Sequence, residues 1–219
     1  MSIQLYFAPL ACSLASRIGL YEVGADAADA RYTQVDTRAK KVSDGTDFWA
    51  VNPMGQVPAL RTDDGQILTE NAAVLQWIAE RFPAARLAPR DAAQRARLQE
   101  WLGFIGTELH KAVFVPQLDP TAPDAVKAYA REKLGLRMEV LEQRVGDREF
   151  LLEEFSIADA YLVTVLNWGM ATGLDLSAWP HVARYHQRLH QRPSVARAFA
   201  EELDLYRAQQ EKAAAAAAR

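Results

Sequence analysis

The apolar positions in the first 84 residues change period several times. The opening run IQLYFA is short and rich in β-formers, which predicts a strand. In CSLASRIGLYEVG, Leu14, Ile18 and Tyr21 recur near helical spacing and Gly24 follows as a stop, so a helix is expected. RYTQVDT alternates and is β-branched, a second strand. KKVSDGTDFWAVNPMG is irregular apart from one helical turn around residues 48–51. VPALRTDDGQIL reads as two short strands around the hairpin dipeptide Asp64-Gly65. In TENAAVLQWIAERF, Val74, Trp77, Ile78 and Phe82 share a face of a helix that starts at Thr69 or Glu70. The order is β-α-β, a linking segment, then β-β-α.

Beyond the two prolines of PAARLAPRD, a plausible linker, the pattern holds only helical periods. DAAQRARLQEWLGFIGTELHKAVF is expected as one long amphipathic helix and PDAVKAYAREKLGLRMEVLEQRVG as a second. FSIADAYLVTVLNWGMATG is nearly all apolar, the mark of a buried central helix. AWPHVARYHQRLHQR and PSVARAFAEELDLYRAQQEK supply two more, and the alanine-rich end reads as a fraying helix or a disordered tail. The expected domains are a small α/β domain over residues 1–84, an all-helical domain over 85–205 and a tail over 206–219.

Half of the 219 residues are hydrophobic, enough for a real core. With 25 basic and 28 acidic residues, the net charge of −3 gives no global field to attract nucleic acid or an anionic membrane. No segment approaches the ~20 apolar residues of a membrane span. One cysteine excludes an intramolecular disulfide. Together with an N-terminus that lacks a secretory leader, this leads us to expect a soluble, cytoplasmic protein in a reducing compartment.

That cysteine, Cys12, falls where a strand turns into a helix. A helix N-terminus favours thiolate over thiol, although many lone cysteines are simply core. The second cysteine of a C-x-x-C redox motif is absent, since Ala15 stands at its position. Redox work at Cys12 therefore needs an external thiol. Pro58 opens a strand, and the base rate of X-Pro bonds points to an ordinary trans edge proline there. A cis bond at that point would turn the Val57 backbone outward, ready to pair with an extended peptide. Glu70 and Asn71 sit at a helix start, where they can act as a cap, bind a carboxylate through N–H groups or hold an ammonium group. Ser156 and Asp159 match a capping box. His186 and His190 are four residues apart among arginines, too few ligands for a metal and more like a solvated polar face. His110, taken alone, is read as structural.

Taken together, LYFAPLACSLASRI, VNPMGQVPAL, TENAAVLQ, the helix ending ELHK, FSIADAYL and QRPSVARAF resemble the cytosolic glutathione S-transferases, and within them the bacterial beta class. The resemblance implies a thioredoxin-like N-terminal domain followed by an all-α domain, glutathione as cosubstrate, no metal and a homodimer. It implies a cis bond before Pro58, which reverses the base-rate expectation. It makes Cys12, Ser13 and His110 the catalytic candidates, with Ser13 donating to the glutathione sulfur. Lys41, Gln56, Val57, Pro58, Glu70, Asn71 and Lys111 become the glutathione-binding candidates. Phe7, Leu10, Phe114 and Trp168 would line the pocket for a small hydrophobic electrophile.

The leading expectation is conjugation of glutathione to such an electrophile. A Cys12 thiolate beside a glutathione thiolate would be repulsive, so conjugation requires Cys12 to stay protonated or capped as a mixed disulfide. Two alternatives stand beside it. One is a glutathione-dependent thiol–disulfide oxidoreductase in which Cys12 itself attacks. The other is a non-catalytic ligand-binding protein on the same scaffold.

Overall fold

The computed structural model describes residues 2–25 and 30–217. The chain divides into two compact units, Met1–Ala85 with Arg192–Arg219, and Arg86–Gln191.

The first unit is built on a five-stranded mixed sheet of order β3-β2-β1-β4-β5. Its strands are β1 (Ile3–Phe7), β2 (Ala30–Asp36), β3 (Lys41–Val42), β4 (Ala59–Arg61) and β5 (Ile67–Thr69). β1 is central. It runs parallel to β2, with Leu5 opposite Tyr32, and antiparallel to β4, with Leu5 opposite Leu60. Flanked on both sides, β1 carries a nearly continuous apolar run instead of an alternating one. The β4–β5 hairpin turns at Asp64-Gly65, with Gly65 at φ +91. The two-residue β3 falls in the stretch expected to be irregular; it is too short to show a period.

Helix α1 (Ser13–Glu22) and helix α2 (Asn71–Arg81) follow β1 and β5. The last helix, α9 (Pro193–Ala217), belongs to this unit and not to the helical half where its period had placed it. Polar contacts with α1 explain the difference. Arg192 donates to both Glu22 oxygens at 2.6 Å, and Ser194 donates to the same carboxylate. Arg17 Nη2 reaches Glu201 at 2.7 Å. The alanine run is not a separate tail: α9 continues through Ala217, in keeping with alanine's high helix propensity.

The second unit is helical. A long helix forms where its period predicts one, but its winding changes. Helix α3 (Ala92–Gly103) passes into a π-helical segment, Phe104–Phe114, and then into α4 (Val115–Leu118). The other helices are α5 (Asp124–Val145), α6 (Ile157–Asn167), α7 (Gly169–Thr172) and α8 (Pro180–His190). Every residue of α6 is buried, as its apolar composition requires.

The capping box at α6 is present, and it does more than cap. Asp159 is fully buried and accepts from Ser156 N and Oγ, Leu151 N and the Tyr185 hydroxyl, all within 2.8 Å. Burial pushes its carboxyl up, while these four donors pull it down. The expected solvated face of α8 is corrected. His186 and His190 both bond Asn167 Oδ1 at 2.7 Å, so the pair is half-buried against α6 and not turned to water.

Because Asp159 serves four donors at a fully buried position, its loss leaves several buried groups unpaired. Asp159→Ala is expected to lower unfolding free energy by roughly 3 kcal/mol or more. Urea denaturation monitored by tryptophan fluorescence checks this; a loss below about 1 kcal/mol would contradict it.

Candidate functional site

In the first unit the site grows from the junction of β1 and α1. The chain leaves β1, makes a turn closed by Ala11 N donating to Ala8 O at 3.1 Å, and enters α1 with Cys12 at the cap position. Cys12 is partly exposed and its side chain does not cap the helix. Instead, Sγ donates to the Val57 carbonyl at 3.2 Å. A carbonyl accepts only from a sulfur that carries its proton, so this bond belongs to the thiol form of Cys12.

The Val57 segment is held from the other side. Buried Asn52 donates from Nδ2 to the Gln56 carbonyl at 2.6 Å and accepts from Met54 N at 3.0 Å. In a trans peptide the N–H lies opposite the carbonyl, so fixing Gln56 O turns the Val57 N–H away from Asn52. Among the described residues that N–H meets no acceptor. The Val57–Pro58 bond is cis, as the resemblance implied and the base rate did not. Gln56 is exposed and Pro58 is buried.

Glu70 occupies the α2 cap position without capping. It sits at φ +66, ψ +121, a conformation that costs a non-glycine residue about 1–3 kcal/mol, and its carboxylate is exposed. Asn71 beside it is buried. Its Oδ1 accepts from Ser16 Oγ at 3.1 Å, while its Nδ2 is buried without a hydrogen-bond partner. A buried amide N–H with no acceptor is a donor held ready for a ligand.

Ser13 does not fit the role the resemblance gave it. It is fully buried, and its Oγ donates to Ala8 O at 3.3 Å while accepting from Ala8 N at 3.2 Å. Its one proton is already used, so its task here is to lock the strand–helix junction. Phe7 is also corrected. It lies 3% exposed on the central strand with the Arg17 guanidinium 5.1 Å above its ring, which makes it core and not pocket. Leu10 is partly exposed in the turn at φ +59. Lys41 is exposed on β3, opposite Asp36. Its neighbour Lys40, which the pattern did not mark, bonds the Gly55 carbonyl at 2.8 Å and lies over the Trp49 ring.

In the second unit three sequence candidates come together. His110 lies in the π-helical segment, its ring 4.8 Å from that of Trp168, and Trp168 lies 5.9 Å from Phe114. His110 Nδ1 shares a 2.6 Å bond with the Tyr161 hydroxyl, a partner no spacing rule could reveal. Burial, helped by nearby Lys111, lowers the imidazole to about 4. His110 is thus neutral near pH 7. Phe114 is fully buried, Trp168 nearly so, and Lys111 is exposed.

Family models of the glutathione S-transferase N-terminal and C-terminal domains match residues 12–81 and 106–193. Glutathione S-transferase GstA of Escherichia coli O157:H7 is 41% identical over 195 residues, covering 88% of this chain and 95% of that one. The chain belongs to the glutathione S-transferase family. Among solved structures, a bacterial beta class glutathione S-transferase of Sphingomonas chungbukensis superposes with a TM-score of 0.85 at 43% identity. A sphingomonad glutathione S-transferase complexed with glutathione gives 0.85 at 41%. Each spans 91% of this chain and 98% of its own. The thioredoxin-like sheet and the helical unit are those of this family.

The lowered His110 sets a pH dependence with a definite sign. The folded state prefers the neutral ring, so its contribution is full above about 6.5 and is lost as pH falls through about 4. The stability gap between wild type and His110→Gln is therefore expected to be larger at pH ~7.5 than at pH ~4.5. Urea midpoints at the two pH values check it, and an unchanged gap would contradict it.

Proposed function

We propose that this chain is a glutathione transferase that binds reduced glutathione on its first unit and joins the thiol to small apolar electrophiles. The observation that carries the reading is the Cys12–Val57 contact. It sets a thiol beside a backbone edge whose N–H is unpartnered, the arrangement that accepts an extended peptide as an added strand. The cysteinyl part of glutathione would pair with Val57 there. Its γ-glutamyl carboxylate would take the Asn71 Nδ2 donor and the first N–H groups of α2, and Glu70 would face its ammonium group. Lys41 is the counterpart for the glycine carboxylate, and Gln56 completes the set on this unit; Lys111, exposed on the second unit, is a binding candidate by the family resemblance alone. A solved relative complexed with glutathione supports glutathione as the ligand.

Electrophile selection belongs to the second unit, where Trp168 and His110 are the candidates. Conjugation mainly requires lowering the thiol pKa of bound glutathione and holding the electrophile alongside. A protonated Cys12, the form that can donate to the Val57 carbonyl, suits conjugation, because a second thiolate next to the glutathione sulfur would repel it. We further propose a cytoplasmic homodimer; no helix among the described residues is long and apolar enough to cross a membrane.

Two measurements test this. Calorimetric titration with reduced glutathione is expected to saturate for wild type and to fail for a folded Val57→Pro variant, which lacks the N–H donor. No binding by freshly reduced wild type would sink the proposal. Cys12→Ala is expected to keep transfer to an activated aryl chloride within about threefold, a change under 1 kcal/mol in barrier. A loss of a hundredfold or more, on the order of 3 kcal/mol, would move Cys12 into the chemistry and favour the thiol–disulfide reading.

A further inference from the structure

The turn that presents Cys12 has an unusual occupant. Residues 8–11 close through Ala11 N to Ala8 O, with Pro9 and Leu10 at the central positions and Leu10 at φ +59. This is the pattern of a type II turn, whose third position ordinarily takes glycine. A leucine there is strained, and rotating the Pro9–Leu10 peptide to the type I form would relieve it. Something must hold the peptide in the costlier orientation.

The holder comes from 192 residues away. Glu202, on α9, is fully buried and accepts the Leu10 N–H on Oε2 at 2.7 Å. In the type I form that N–H would point the other way and lose the acceptor. Its other oxygen, Oε1, lies 3.6 Å from Arg17 Nη1, an ion-pair distance without a hydrogen bond. Arg17 in turn bonds Tyr21 and Glu201 and lies over the rings of Phe7 and Tyr32. Burial pushes the Glu202 carboxyl up to about 8, against the pull of Leu10 and Arg17. A buried acid that raises its own pKa is a costly way to dock a helix. It is accounted for if the oxygen has a specific donor to hold, and either protonation state can accept from Leu10.

We propose that Glu202 is a positioning residue: its Oε2 selects the orientation of the Pro9–Leu10 peptide and thereby aims the Cys12 end of α1 at Val57. This rests on the reading of that junction as the thiol site. Glu202 touches neither thiol nor substrate, and it acts through two residues of backbone.

The test uses alkylation of Cys12 by iodoacetamide, clean because the chain has a single cysteine. Glu202→Leu removes the acceptor and is expected to raise the alkylation rate about tenfold, the scale set by losing one buried hydrogen bond. Glu202→Gln keeps an acceptor oxygen without the charge and is expected to stay within about twofold of wild type. Leu10→Gly removes the strain, so adding Glu202→Leu to it is expected to change the rate by less than about threefold.

Equal effects of Gln and Leu at position 202 would mean that pairing with Arg17 matters, and would overturn the proposal. So would a full Glu202→Leu effect in the Leu10→Gly background, which would reduce Glu202 to a docking group for α9. Should Glu202→Leu fail to fold, amide exchange in the wild type decides. Protection of the Leu10 N–H by about a hundredfold or more upholds the bond, and exchange at the unprotected rate overturns it. The alkylation contrasts need no glutathione, so they stand or fall separately from the calorimetric test of the glutathione site.

Discussion

The Ser13 hydroxyl binds both backbone polar groups of Ala8, its N–H and its C=O, and the strand–helix junction of the first unit depends on that pair of hydrogen bonds. Where a central strand ends in the interior and a helix begins, backbone N–H and C=O groups are left with neither sheet nor helix partners. A single buried hydroxyl meets both demands. It sets the distance between the end of β1 and the start of α1, and so determines where Cys12 lies relative to the chain entering β4. From that point the Cys12 thiol reaches the Val57 carbonyl, while the Val57 N–H meets no acceptor among the described residues.

Around this junction the polar groups divide into two kinds. Asn52, Ser16 and Ser13 have their donors committed within the chain and fix geometry. Among the described residues, Asn71 Nδ2, the Val57 N–H and the exposed Glu70 carboxylate are left uncommitted, and these are the groups the proposed glutathione site draws on. The strained backbone at Glu70 belongs with the second kind, since its conformation serves no cap. In the second unit, burial sets the chemistry. It keeps His110 neutral against Tyr161 and Trp168, and it makes Asp159 the hub of four donated bonds instead of a simple cap.

Much of this was legible in the sequence. Asp64-Gly65 announced its hairpin because that turn needs positive φ, and Ser156 with Asp159 announced α6 because both capping bonds are local. The strand–helix position of Cys12 and the Glu70-Asn71 helix start could be read the same way, from features within a few residues of each other. Ser13 and Phe7 were misread because identity and neighbourhood suit a site, whereas burial depends on what packs across them. Lys40 and Tyr161 went unmarked since neither falls on a recognisable spacing. The spacing of His186 and His190 reads as a solvated face because the residue they pack against, Asn167, lies on another helix.

By itself, then, the sequence determined the element types, the mixed α/β and all-α halves, the strand–helix placement of the sole cysteine and the family that its motifs resemble. These follow from periodicity, turn chemistry and capping, which act over a few residues. Only the tertiary structure decided that α9 joins the first unit, that Ser13 is spent on Ala8, that His110 is neutral and that Glu202 meets Leu10. The docking of α9 and the Glu202–Leu10 bond pair polar atoms across 170 or more residues of chain, His110 is neutral because other elements bury it, and Ser13 is spent because the end of β1 leaves Ala8 short of partners; no local period encodes any of these.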